Sequence, residues 1–284
     1  EASLARDAHF DLRFENFNVG FRLVMNFSRY LGADTPEQRA MRELFRDLRF
    51  REAVSYAIDR EGIARAAFPG PLLRPWYGGY PSGSPMYDES VVRTFPYDPA
   101  RARQLLQELG FRDTNGDGIV NWPAGGPLAG QNLVIEVLVS ADVQAAVEIG
   151  QALLPLLRDA GIDLRLRVLQ GGPLSERVNA GQFEWWIQRV DQATPDVHMS
   201  TFGPEALDAP SWHRAGPGGR RDLLPFEEEM ARLMQEAKFA VEPARRREIF
   251  REILRLSTHN VYTVGIYEMR RGLAVHKELR NIPV

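Results

Sequence analysis

The residues best suited to chemistry gather in one short run, Phe183 to Asp191, where two tryptophans, an arginine and an aspartate follow closely on one another. A carboxylate at a strand end facing a cleft suits an ammonium group, through a charge-assisted hydrogen bond. Asp191 is either that carboxylate or the cap of the turn that follows it. Arg189 lies on the strand face of Trp185, and its guanidinium fork could engage a carboxylate bidentately. Trp185 and Trp186 are adjacent and point to opposite faces, so one belongs to a core and the other to a cleft or to solvent. An indole facing a cleft can stack on a sugar or clasp a side chain or cation. Trp76, Tyr77 and Tyr80 occupy a Pro/Gly-rich stretch, as a lid over ligand or as a hydrophobic plug under the loop.

Two other patterns suggest metal or acid/base chemistry. Asp113, Asn115, Asp117 and Gly118 stand where a calcium loop has its first oxygen ligands and its glycine, but Ala124 replaces the bidentate Glu at the closing position. A tight Asx/Gly turn is the expectation there, with weak calcium binding as its alternative. His9, His198, His213, His259 and His276 show no zinc-ligand spacing, and neither a serine elbow, a Walker loop nor a dinucleotide fingerprint accompanies them. No cofactor is expected. A hydrolase would have to use Glu184, Asp191 or Asp196 as an acid/base pair.

The elements that must position these groups alternate between strands and helices. Phe17 to Phe27 reads as a strand, Pro36 to Arg46 as a polar helix, and Leu44 to Ile63 as two helices in series. In that series Phe50, Ala53, Val54, Ala57 and Ile58 turn inward, Asp59 caps the second helix, and Arg51, Glu52 and Arg60 face water. The Pro and Gly density from Pro69 to Pro96 predicts a long irregular loop whose aromatic content argues against disorder. Asp98 and Pro99 start a helix that Gly110 ends. Leu133 to Val139, Ile162 to Leu169, Phe183 to Val190 and Val261 to Tyr267 read as strands. Gln144 to Ala160, kinked at Pro155, Leu174 to Ala180, Phe226 to Ala240 and Pro243 to Thr258 read as helices. Such alternation predicts an α/β layer with a mixed, mainly parallel sheet and flanking helices.

Composition sets the outer bounds. The 284 residues can bury a large core, and 44% hydrophobic with 26% charged residues is ordinary for a globular protein. A net charge of −3 gives no reason to expect nucleic acid as a partner. Lys238 and Lys277 are the only lysines among 35 basic residues, a bias that reads as genome composition. There is no cysteine, and no apolar run reaches the length of a membrane span.

Four ordered segments carry a resemblance. Asp47, Arg49, Arg51, Ala53, Tyr56, Ala57, Ile58, Asp59 and Arg60 in LFRDLRFREAVSYAIDREGI resemble the family 5 extracellular solute-binding proteins. These are the peptide-, nickel- and oligosaccharide-binding receptors of ABC importers. The run YDPARARQLLQELGF with its Asp/Gly loop, the segment Gly181 to Phe202 and, more loosely, the helices and strand up to Tyr267 are similar to the same family. The resemblance implies the second lobe of a periplasmic-binding-protein type II fold, and a chain that is a carboxy-terminal piece of a longer receptor. Residues 1–30 would then be a crossover from a missing first lobe, 31–260 the ligand-binding lobe, and 261–284 a closing strand and return segment. It further implies a non-enzymatic receptor, periplasmic or extracellular, free or anchored as a lipoprotein, that delivers its solute to ABC permease subunits. In the peptide-binding members the acid matching Asp191, with Pro195 beyond it, pairs with the peptide's ammonium. A peptide or similar small polar solute is therefore expected, with an oligosaccharide as the alternative within the family. Arg189, Trp185, Trp186, Trp76 and Tyr77 would be secondary contacts.

Overall fold

Local capping chemistry starts most of the early helices in this computed structural model, which describes residues 9–191 and 210–278. Helix α1 (Pro36–Arg46) opens with a capping box between Thr35 and Gln38. Helix α2 (Leu48–Tyr56) is capped by the Asp47 carboxylate on the Arg49 amide, and α3 (Arg60–Ala67) by Asp59 on the Gly62 amide. Helix α4 (Pro99–Glu108) begins at Asp98, with Pro99 supplying no N–H where none would be paired. Helix α5 (Gln144–Ala160) runs through Pro155 as one element, because that ring lies on its exposed side, where solvent can reach the carbonyl that Pro155 leaves without a donor. Gly161 ends α5 at φ 95°, a left-handed cap that suits glycine. Helices α6 (Gly171–Asn179), α7 (Pro225–Phe239) and α8 (Pro243–His259) complete the set among the described residues.

Strands β1 (Phe10–Met25), β2 (Leu73–Pro75), β3 (Val134–Ser140), β4 (Asp163–Leu169), β5 (Trp185–Asp191) and β6 (Val264–His276) form one sheet in the order β2-β6-β1-β5-β3-β4. The sheet is mixed, as expected, but its parallel part is narrower than expected. Only β3 with β4 and β3 with β5 are parallel; β1 with β5, β1 with β6 and β2 with β6 are antiparallel. Parallel neighbours need crossover helices, which α5 and α6 provide for β4 and β5. Strands β1 and β6 instead run as a long antiparallel ribbon, paired from Phe10 with His276 to Leu23 with Val264. Both are longer than their apolar stretches suggested, because pairing rather than burial extends them.

The largest core lies between the sheet and α1 to α5, continuing into α7 and α8; a smaller one joins Leu138, Leu174, Val178 and Phe183 under α6. Two expectations fail here for one reason. Arg51 and Arg60 do not face water: they are 2% and 3% exposed. Arg60 donates to the carbonyls of Ser55, Phe95, Trp76 and Gly265 and to the Ser55 hydroxyl, and lies over the Tyr77 ring. Arg51 donates to the carbonyls of Phe45, Arg46 and Asn260. Backbone carbonyls take the place of water around both guanidiniums, and burial pushes each pKa down to about 10. Glu52 is half-buried beside Arg93. The long Pro/Gly loop is also less irregular than its composition suggests, since β2 within it pairs with β6.

Candidate ligand-binding groove

Register across the sheet builds the site. Arg189 on β5 stands opposite Phe21 on β1, and Phe21 stands opposite Tyr267 on β6. Side chains in one cross-strand row share a face, so a cation and two aromatics line up on one surface. Towards Trp185 that face is closed by helices; towards Asp191 it opens. There Phe21, Phe68, Leu72, Leu73, Tyr267 and Met269 make the apolar wall of a groove of about 520 Å³. Asp142, Glu148, Arg189 and Arg270 supply its charged rim. Phe68 and Met269 stay 40% and 37% exposed, large apolar groups left uncovered at this edge. Burial and then the nearby Glu148 charge push the Tyr267 phenol up to about 12, so it remains a neutral hydrogen-bonding group at ordinary pH.

The chain's topology puts the groove where α/β sheets take ligands. From β3 the chain crosses through α5 to β4 on one side, then returns through α6 to β5 on the other. Beyond the carboxyl ends of β3 and β5 lies the resulting switch point, bordered by Asp142 and the start of α5. Asp142 accepts the Gly171 amide at 2.9 Å and so links the starts of the two crossover helices.

Of the residues expected from sequence, the fold unites two. Arg189 and Asp191 are exposed on the same face and form an ion pair at 3.0 Å. Trp185 shares that face but is sealed in the core against Phe45 and Phe50, so the ligand contact expected of it is corrected. Trp186 points to the opposite face and packs half-buried against the smaller core. Trp76 is buried on the face of Gly20, away from the groove, with its indole N–H donated to the Tyr80 carbonyl. The aromatics Trp76 and Tyr80 are therefore a plug beneath the loop, and Tyr77 covers the buried Arg60. Pro195, Asp196 and His198 lie outside the described residues.

At the Asp/Gly loop, the Asp113 oxygens accept the amides of Gly116 and Gly118, and Asp117 accepts the Ile119 amide and the Asn132 side chain. These carboxylates close an Asx/Gly turn. Among the described residues no three His, Cys, Asp or Glu side chains converge as a metal set. Glu184 and Asp191 sit at opposite ends of β5, roughly 20 Å apart at the strand's rise per residue, so they form no acid/base pair. Phe21, Phe68, Tyr267, Met269 and Glu148 were not legible as site residues, since nothing local marks a strand or helix-end residue as uncovered.

Comparison with known proteins gives this geometry a context. The sequence profile of the bacterial extracellular solute-binding proteins, family 5 Middle, matches residues 2–203. A periplasmic alpha-galactoside-binding protein of Rhizobium meliloti (strain 1021) is 33% identical over 274 residues, covering 93% of this chain and 38% of that protein. The oligopeptide-binding protein AppA of Bacillus subtilis (strain 168) is 25% identical over 196 residues, 69% of this chain and 33% of that protein. Among solved structures, the periplasmic binding protein MelB of Agrobacterium fabrum C58, in complex with stachyose, superposes with a TM-score of 0.87 at 29% identity. That superposition covers 97% of this chain and 42% of MelB. The chain thus spans less than half the length of each of these proteins.

Proposed function

Since the chain belongs to the bacterial extracellular solute-binding proteins of family 5, we propose that it forms one ligand-binding lobe of the substrate receptor of an ABC importer. The groove beside Arg189 is one wall of the ligand cleft in this reading. With only 38% of the alpha-galactoside-binding relative covered, the opposite wall falls to chain beyond these 284 residues. Delivery to permease subunits in the membrane, from the periplasm or the outer cell surface, is part of the same proposal.

An oligosaccharide is the solute we favour. The observation that carries this choice is the rim pair: Arg189 and Asp191 neutralise one another at 3.0 Å. The pair offsets the charge of Asp191, the acid expected to hold a peptide's ammonium, yet offers both donors and acceptors to neutral hydroxyls. The Phe68 ring, 40% exposed beside the apolar floor of Phe21 and Tyr267, suits the apolar face of a sugar ring, and the relative and neighbour described with alpha-galactoside and stachyose point the same way. A peptide is the second reading, supported by the exposed Asp191 carboxylate at a strand end.

Titration of the isotopically labelled protein with stachyose tests the choice. Saturable amide shifts are expected at Phe68, Glu148, Arg189 and Met269, with Arg189→Ala weakening binding roughly tenfold, about 1.4 kcal/mol. A tripeptide should leave these amides in place. Shifts produced there by the tripeptide, dependent on Asp191 and absent with the sugar, would reverse the assignment.

A further inference from the structure

A second cavity, of about 450 Å³, lies at the other end of the parallel strands, between the start of α1 and the start of β5. Its volume falls within the range of small-molecule sites. It is lined by Arg42, Gln182, Phe183 and Glu184, with Asp34 and Gln38 at the margin of α1. About 20 Å of strand separates it from the groove, counting from Glu136 to Asp142 at the rise per residue of a strand.

The charges in this cavity are unfinished in a particular way. Glu136 is already neutralised, by Arg167 at 3.1 Å and Arg177 at 3.2 Å. Arg42 is not. It is buried, and its Nη2 donates to the carbonyls of Gly32 and Gly181, but its Nε has no partner and its Nη1 donates to no described group. The contrast with Arg60, which engages Nε, Nη1 and Nη2, is direct. Glu184 presents the complement. One of its carboxylate oxygens accepts the Glu136 amide, and the other accepts from no described residue. Burial holds its pKa above the ordinary range, outweighing the pull of the Glu136 amide and of the Arg42 charge. The two side chains form no hydrogen bond or ion pair with each other; Arg42 is tethered to the Gly32 and Gly181 carbonyls and Glu184 to the Glu136 amide. A buried guanidinium and a half-buried carboxylate that line one cavity without pairing leave a place for a molecule carrying both opposite charges.

We propose that this cavity is a second ligand site for a small zwitterion of the α-amino acid type. Its carboxylate lies on the Arg42 guanidinium and its ammonium on the free oxygen of Glu184. The inference stands apart from the reading of the groove, whose residues it does not use.

L-alanine titrated into the labelled protein is the test. Saturable shifts are expected at the amides of Gly32, Gln182 and Phe183, with Phe68 and Arg189 unmoved. Alaninamide, which lacks the carboxylate, and N-acetylalanine, which lacks the ammonium, should each bind at least tenfold more weakly. Glu184→Gln should weaken alanine by a similar factor while leaving any response of the groove to stachyose unchanged. These ligand comparisons need no substitution, so they decide the matter even if Glu184→Gln fails to fold. Shifts that grow linearly without saturating, equal binding of alanine and N-acetylalanine, or shifts confined to the groove would each overturn the proposal. A groove silent towards stachyose with this cavity still responding to alanine would count against the receptor reading alone.

Discussion

Arg60 illustrates how a signature residue can be structural rather than functional. Within the stretch from Asp47 to Arg60, Asp47 and Asp59 cap helices, Ala53, Ala57 and Ile58 are core, and Arg51 and Arg60 clamp carbonyls. None of them lines the groove. A lysine at position 60 has one ammonium in place of a planar fork and cannot reach carbonyls on α2, the loop and β6 together. Arg60→Lys is therefore expected to cost roughly 3–5 kcal/mol, the range for breaking a buried charged network. Urea unfolding measures this, and a loss under about 1 kcal/mol, the net worth of one ordinary hydrogen bond, would refute the clamp.

At the scale of elements, the Pro/Gly loop is anchored where it crosses β6. Gly265 is the point of closest approach: a Cβ there would sit 2.3 Å from the Gly78 amide nitrogen and 2.5 Å from the Trp76 carbonyl oxygen. Backbone cannot yield as a flexible side chain does. Gly265→Ala should destabilise the protein by about 1–3 kcal/mol, as overpacking does, and should raise proteolytic cleavage between Pro69 and Pro96. Gly172→Ala, where the added methyl meets nothing, is the matched control. Equal thermal stability in the two variants would show that the loop is not held at this crossing. Because β2 and Trp76 are tied to β6 on one side and Tyr267 faces the groove from the same strand, loosening the loop should also reduce the stachyose response.

For the whole molecule, stability against acid should depend on one buried junction. Glu227, at the start of α7, has His213 Nδ1 at 2.8 and 2.9 Å, and accepts from the Tyr262 hydroxyl at 2.6 Å and the Leu224 amide at 2.7 Å. Burial pushes its carboxyl up, but the His213 contact, its charge, the Leu224 amide and the Tyr262 hydroxyl together outweigh burial and hold it below the ordinary range. A depressed folded pKa contributes stability above the unfolded value, near 4.3 for glutamate. That contribution is lost as pH falls through the folded pKa. Urea midpoints measured from neutral pH down to about pH 3 should fall on the acid side, and Glu227→Gln should flatten that fall while lowering the midpoint at neutral pH. An unchanged acid slope in the variant would remove Glu227 from the account.

What could be read without coordinates was whatever depends on neighbours within a few residues. The caps at Asp59 and Asp98, the helix from Gln144 to Ala160, the apolar strands and the family resemblance all belong to that class. Asp191 and Arg189 were legible as site candidates from residue type and strand position, whereas their ion pair came from the structure. Long-range register was beyond its reach. Only the folded sheet decides that Trp185 is core while Arg189 is open, that Phe21 and Tyr267 complete its row, and that Arg51 and Arg60 find carbonyls instead of water. The physical reason is that burial belongs to the partner as much as to the residue, and these partners arrive from the far end of the chain.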